Sequence, residues 1–191
     1  GAWAWSMSRI VDVLSAQPQI DRTRIAVFGH SRFGKAALWA AATDQRIALV
    51  IANQSGRLGA APSNSAAGEP LPRLFMRFPH WFPARLGAPT DAMIDQHLLL
   101  ALIAPRPILL GGARLDGWSD PAGAFRSAEA ATPVYRLYGR VGLDQPDMSG
   151  TNYNADIAVF LRPGGHGIRL GDWTAARAFL DTHFKAQSVA H

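Results

Sequence analysis

The sequence predicts an α/β protein in which a mostly parallel sheet carries helices on both faces. Short apolar runs alternate along the chain with segments rich in helix-forming residues, an order that is typical of parallel sheets. The run 47–53 is apolar without interruption up to residue 52, as expected of a parallel strand that is buried on both faces. Several polar residues follow directly after such runs, and open α/β sheets bind ligands at the carboxyl ends of their strands.

Each element follows from a local pattern of side chains. Near the start, Trp5, Ile10, Val13 and Leu14 recur at close to helical spacing, which predicts a helix packed on the sheet. Residues 57–90 are rich in Gly, Pro, Ala and Ser and too long for a plain connection, so they predict an insertion over the active edge. The predicted strands are 24–30, 47–53, 108–113 and 157–161, and the predicted helices are 2–16, 34–43, 91–103 (with Met93 and Ile94), 121–131 and 171–185.

The composition excludes several classes of function. The chain has 191 residues, of which 48% are hydrophobic and 17% charged, as in an ordinary globular domain. It has no cysteine, which excludes disulfides, a thiol nucleophile and thiolate metal sites. The net charge of +5 is scattered, so no basic stripe predicts nucleic-acid binding. No apolar run is long enough for a membrane span, no histidine pair has the spacing of a zinc site, and we expect no metal and no cofactor.

A strand, a sharp turn and a helix surround Ser31. The run Ile25-Ala26-Val27-Phe28 precedes Gly-His-Ser-Arg-Phe-Gly, and an alanine-rich helix follows. This is the setting of a nucleophile elbow, in which a serine hydroxyl points away from the sheet toward substrate. Gly29 and Gly34 leave room for the close approach of strand and helix. Phe33 stands where the usual G-x-S-x-G pattern has its second glycine, so an ordinary turn capped by serine is the alternative interpretation.

Ser31, Asp116 and His166 follow predicted strands in the chain order of an α/β-hydrolase triad. A serine hydroxyl needs an imidazole to take its proton, and the imidazole needs an acceptor that fixes its tautomer. Asp120 is the alternative acid, although its place before a proline and a helix also suits an N-cap. Of the other histidines, we expect His30 to be structural, His80 and His97 to be packed or hydrogen-bonded, and His183 and His191 to have no role in the site.

The form Gly-His-Ser-Arg-x-Gly-Lys at 29–35 resembles the glucuronoyl esterases, carbohydrate esterase family fifteen. The resemblance covers nearly the whole chain and includes Asn53-Gln54-Ser55-Gly56, Phe78-Pro79-His80-Trp81-Phe82, Asp116-Gly117-Trp118-Ser119-Asp120-Pro121 and Arg162-Pro163-Gly164-Gly165-His166. It implies an α/β-hydrolase fold and a serine esterase. Such an enzyme would cleave, through an acyl-enzyme, the ester that joins 4-O-methyl-glucuronate of xylan to lignin alcohols.

The resemblance also implies roles for residues around the serine. Arg32 would help to form the oxyanion hole, and Lys35, Glu69 and Trp118 would contact the sugar. Gln54 stands where many members have a glutamate as the triad acid. We expect Gln54 to bind substrate instead. A glutamine can hydrogen-bond but cannot stabilise an imidazolium by charge, so this departure places more weight on Asp116.

Catalytic domains of the family are about twice as long, so we expect the C-terminal part of a single α/β-hydrolase domain. Half a sheet would leave a strand edge and an apolar face exposed, which predicts association. We expect a secreted or periplasmic protein that acts on glucuronoxylan or lignin–carbohydrate esters, although no signal peptide is visible; its oligomeric state is not predicted. The alternatives are an acetyl-xylan esterase, another hydrolase or peptidase of this fold, and an inactive carbohydrate-binding relative or fragment.

Overall fold

A parallel sheet of four strands forms the centre of the structure, a computed structural model that describes residues 1–82 and 95–185. The strand order follows the chain, and each neighbouring pair is parallel. The strands are β1 Ala26–His30, β2 Leu49–Asn53, β3 Ile108–Ala113 and β4 Ile157–Arg162. The helices are α1 Ala2–Ser15, α2 Arg32–Thr43, α3 Leu71–Arg77, α4 Gln96–Ala101, α5 Pro121–Leu137 and α6 Leu170–Lys185, with a 3₁₀ turn at Pro79–Trp81.

Helices cover both faces of the sheet, which confirms the predicted fold class. Val50 and Leu110 point into a core shared with α1, α2, α4 and α5. Leu49, Ile51 and Leu109 point into a second core, which is closed by α6. Successive strand residues face opposite sides of the sheet. Since a core covers each side, every residue of β2 is buried. This burial explains its continuous apolar run.

The first helix forms as predicted, but the face that it buries differs from the expectation. Ala4 and Val11 are buried, and Met7 and Leu14 pack beside them. The predicted positions Trp5, Ile10 and Val13 are instead 58–63% exposed. The buried stripe consists of small and medium side chains because α1 packs on the alanine-rich helix α2. The large apolar residues are left outside this contact.

Two other predicted helices differ in length from those observed. Helix α5 continues six residues beyond the predicted end at 131, through Pro133, to Leu137. Helix α4 is shorter than the predicted 91–103, and Met93 and Ile94 lie outside the described residues. The same holds for residues 83–90 of the predicted insertion. Within residues 1–82 and 95–185, no helix is long and apolar enough to span a bilayer.

Candidate active site

The turn between β1 and α2 holds Ser31 in a backbone conformation that L-residues seldom adopt, with φ of 57° and ψ of −124°. A side chain at Gly29 would place its Cβ 2.0 Å from the Phe33 carbonyl oxygen. One at Gly34 would lie 2.9 Å from the Ser55 Cβ. Helix α2 therefore approaches the end of β2 most closely at position 34, where only a glycine fits. Phe33 is tolerated in the usual glycine position because its side chain is half exposed.

Ser31, His166 and Asp116 form a continuous hydrogen-bonded series. The Nε2 atom of His166 lies 3.2 Å from the Ser31 Oγ, and its Nδ1 atom lies 2.7 Å from the Asp116 Oδ2. The Asp116 side chain is almost wholly buried, whereas that of His166 is 38% exposed. Asp116 also accepts hydrogen bonds from the main-chain N–H and the hydroxyl of Ser119. A histidine held in this way has one nitrogen facing the serine and the other fixed by a carboxylate.

Asp120, the alternative acid, points away from the histidine. Its Oδ1 accepts from the Gly123 N–H at 2.9 Å, and its Oδ2 accepts from the Ser65 Oγ at 2.5 Å. Asp120 is the N-cap of α5, with a left-handed φ of 47°. This is the capping role that the sequence offered as the alternative to a catalytic one. Of the two aspartates, the structure therefore brings Asp116 to the histidine.

A second histidine lies against the first. The rings of His30 and His166 are 4.8 Å apart between centroids. Burial lowers the pKa of His30, and the neighbouring His166 lowers it further. His30 is therefore neutral at neutral pH and adds no charge beside His166. The Nδ1 atom of His30 lies 3.4 Å from the side-chain amide nitrogen of Asn53, the residue paired with His30 in the neighbouring strand β2.

A cavity of about 220 Å³ opens beside Ser31 and His166. Its lining includes all the remaining residues that the sequence predicted for the site: Arg32, Lys35, Gln54, Glu69 and Trp118. The main-chain N–H of Glu69 donates to the carbonyl of Trp118 at 2.9 Å, which ties two predicted sugar contacts to one another. The amide of Gln54 is bonded to the main chain of Gly167.

The ammonium group of Lys35 is largely committed to the protein itself. Its Nζ donates to the carbonyls of Ser55 at 2.6 Å and Arg57 at 2.5 Å. Burial lowers the pKa of Lys35 to about 8, although the Glu69 carboxylate favours its charged form. Lys35 is thus cationic at neutral pH, and one of its three N–H donors is left for a ligand.

Phe78 and Trp81 form an aromatic side of the cavity that was not among the predicted site residues. The Arg32 guanidinium lies 4.9 Å from the ring centre of Phe78, and Phe78 stacks on Trp81 at 4.1 Å. Arg77 also lines the cavity. The motif at 78–82 was visible in the sequence, but the contact of Phe78 with Arg32 depends on how α3 and the 3₁₀ turn fold back onto the elbow. His80 packs edge-on against Trp81, and His183 against Phe179.

The site contains no candidate metal centre in the part of the chain that the structure describes. No three His, Asp or Glu side chains of residues 1–82 and 95–185 converge in a way that could hold an ion.

Comparison with known proteins shows which family the chain belongs to. The family model described as glucuronyl esterase of fungi matches residues 1–139. A promiscuous esterase of carbohydrate esterase family fifteen from the marine bacterial metagenome is 43% identical, with a TM-score of 0.89 over 95% of this chain and 47% of its own. A glucuronoyl esterase from Solibacter usitatus is 38% identical, with a TM-score of 0.85 over 95% and 48%.

A fungal relative is less similar in sequence than these two bacterial esterases. The 4-O-methyl-glucuronoyl methylesterase 1 of Phanerochaete chrysosporium is 35% identical over 178 residues, which are 86% of this chain and 35% of that protein. The chain spans about half the length of the two bacterial esterases. The extent of the family match and the identity to these relatives establish that the chain belongs to the glucuronoyl esterase family.

Proposed function

We propose that the protein hydrolyses carboxylic esters of glucuronic acid, with Ser31 as the nucleophile. The observation that carries the proposal is the series from Ser31 Oγ through His166 to the buried Asp116 carboxylate. Family membership supports the same reaction, because relatives bear the names glucuronoyl esterase and 4-O-methyl-glucuronoyl methylesterase. In the proposed substrate, the glucuronate of xylan is esterified to a lignin alcohol.

Acylation begins when the Ser31 Oγ attacks the ester carbonyl carbon and its proton passes to the Nε2 of His166. The resulting oxyanion is stabilised by the Arg32 guanidinium and by the positive end of α2, which begins at that residue. The carbon–oxygen bond to the alcohol then breaks, and His166 gives its proton to the leaving alkoxide. Asp116 holds the imidazole in position and stabilises the imidazolium.

Deacylation repeats these steps with water as the nucleophile. His166 takes a proton from water, the hydroxyl attacks the acyl carbon, and the proton returns to Ser31 Oγ as the acyl-oxygen bond breaks. The products are free glucuronate and the regenerated serine. No metal or cofactor takes part in this sequence of steps.

In this proposal, selectivity for glucuronate comes from Lys35, Glu69 and Trp118, which line the cavity. Glu69 accepts hydrogen bonds from sugar hydroxyls, the remaining N–H of Lys35 donates one, and the Trp118 indole packs on the ring. Because polymeric xylan does not cross membranes, we expect the protein to act outside the cytoplasm. The structure describes residues 57–82 of the predicted insertion 57–90. We also propose that this described part forms one wall of the substrate site, since Glu69, Phe78 and Trp81 line the cavity.

The test is hydrolysis of benzyl glucuronate by the full-length protein and by Ser31→Ala. We expect the substitution to lower kcat/KM by at least about a thousandfold. The matched control is Ser6→Ala, which removes an exposed hydroxyl on α1 and should leave turnover unchanged. An acetylated xylan is assayed in parallel. Turnover that survives Ser31→Ala would exclude the proposed nucleophile, and preference for the acetyl ester would assign the site to acetyl-xylan hydrolysis.

A further inference from the structure

Gln54 occupies a constrained place at the carboxyl end of β2. It adopts a left-handed φ of 50°, and its main-chain N–H donates to the carbonyl of Gly111 in β3 at 2.7 Å. Only 3% of the residue is exposed. These contacts hold the main chain of Gln54 in place. Its buried side-chain amide needs partners for both its donor and its acceptor.

Those partners are the two main-chain groups of one residue, Gly167. The Gly167 N–H donates to the Gln54 Oε1 at 2.8 Å, and the Gln54 Nε2 donates to the Gly167 carbonyl at 3.1 Å. The Gln54 amide and the Gly167 main chain thus exchange two hydrogen bonds, as two directly opposite residues of antiparallel strands do. The pair requires a donor and an acceptor bonded to the same terminal carbon, which among side chains of this length only glutamine supplies without a change of protonation.

The residue held in this way is the neighbour of His166. The imidazole lies on a loop, residues 163–169, in which Gly164 has a φ of 88° and Gly167 a φ of 133°. Glycines allow the backbone many conformations, and His166 itself is exposed. On its N-terminal side the loop is held by the Leu115 N–H, which donates to the Gly164 carbonyl at 2.9 Å. On its C-terminal side the Gly167 carbonyl also accepts from the Arg162 guanidinium.

We propose that Gln54 is a positioning residue that fixes the His166 loop to the end of β2 through its paired hydrogen bonds with the main chain of Gly167. This inference rests on the proposed function, in which His166 serves both half-reactions. Gln54 touches neither the serine nor the ester in this role. It acts by holding the Nε2 of His166 within reach of Ser31, and a displacement of about 1 Å at a reacting group can lower a rate by about a hundredfold.

The test compares Gln54→Met with Gln145→Met in the full-length protein. Gln145 forms the same reciprocal pair with a main-chain residue, Val159 of β4, through bonds of 2.7 and 3.1 Å. It lies outside the catalytic cavity, so its substitution measures the cost to stability alone. With benzyl glucuronate, we expect Gln54→Met to lower kcat about ten- to a hundredfold with KM within about twofold. Gln145→Met should lower the Tm while kcat stays within about twofold.

A second measurement does not depend on turnover. Amide hydrogen exchange of the segment 163–169 should accelerate in Gln54→Met relative to the parent protein and to Gln145→Met. Gln54→Asn, which keeps the amide but shortens the side chain, is used if the methionine variant does not fold, and it should show the same two effects more weakly. Unchanged kcat or unchanged exchange in the folded variant would overturn the proposal. Failure of the proposed function is a separate result, because it appears as turnover that survives Ser31→Ala.

Discussion

At the residue scale, Asp116 and Asp120 differ in the groups whose hydrogen bonds they accept. Both are buried, but Asp116 faces His166 Nδ1, whereas Asp120 binds the start of α5 and the Ser65 hydroxyl. An asparagine at position 120 keeps an acceptor for the Gly123 N–H, so a capping role tolerates it. An asparagine at position 116 has no charge with which to stabilise an imidazolium.

We therefore predict opposite outcomes for the two amide substitutions. Asp116→Asn should lower kcat/KM for benzyl glucuronate about a thousand- to ten-thousandfold. Asp120→Asn should change it less than about fivefold, with a loss of at most about 1 kcal/mol in the free energy of unfolding. Steady-state kinetics and urea titrations check both values. A larger kinetic loss in Asp120→Asn than in Asp116→Asn would assign the acid to position 120.

The sequence predicted Ser31, Asp116 and His166 because each follows an apolar strand, and parallel strands deliver such residues to the same edge of the sheet. It left two aspartates open because they are four positions apart, and only the conformation of the turn decides which one faces the histidine. The contact of Gln54 could not be predicted. Its partner is a main-chain unit 113 residues away, and no side-chain pattern marks a main-chain partner.

At the scale of elements, the segment from α3 through the 3₁₀ turn forms the aromatic side of the cavity. Phe78 lies beneath the Arg32 guanidinium and stacks on Trp81, and Trp81 in turn meets Trp3 of α1 edge-on at 5.8 Å. A cation over an aromatic ring contributes about 0.5–2 kcal/mol, depending on its exposure. The stack thus restricts where the Arg32 side chain can lie.

Loss of the Phe78 ring should therefore weaken transition-state stabilisation by Arg32. We predict that Phe78→Ala lowers kcat/KM about two- to thirtyfold, the range that corresponds to that contact energy. Phe75→Ala is the matched control, because it removes an aromatic pair with Phe82 in the same segment and leaves Arg32 untouched. An equal kinetic loss in both variants would mean that the segment acts only through its overall folding.

The first helix shows why a spacing pattern can predict an element without predicting its buried face. Residues 2–16 contain enough apolar side chains for more than one stripe. Packing on α2 selects the stripe with Ala4 and Val11, since small residues allow two helices to approach closely. The bulky Trp5 fits the same period, but it lies outside the contact.

At the scale of the whole molecule, the predicted fold class holds because its strongest signals are continuous apolar runs. Each of the four strands forms where such a run occurs, and burial on both faces of the sheet is what requires the runs. The segment 57–82 has no comparable periodicity. Its backbone is held instead by single polar contacts, such as the Arg57 guanidinium on the Ala67 carbonyl at 2.7 Å. Contacts of this kind depend on how the chain folds back on itself, so composition alone does not reveal them.

The sheet and its helices also leave apolar surface uncovered. Strand β1 forms one edge of the sheet, and within residues 1–82 and 95–185 no strand pairs with its outer side. On α1 and α2, Trp5 is 63%, Val13 61% and Trp39 49% exposed. An unpaired strand edge and large exposed apolar side chains both favour association with other chains.

We therefore predict that the 191-residue chain, expressed by itself, associates at micromolar concentration. Light scattering after size exclusion should give a mass above that of one chain, and a dye that binds apolar surface should fluoresce with it. Trp5→Lys combined with Val13→Lys should lower both signals, because the lysines place charge on the exposed side of α1. Leu170→Lys on α6, where an exposed leucine lies far along the chain from this surface, should leave them unchanged. A monomer that binds no dye would show that these side chains and the edge of β1 do not drive association.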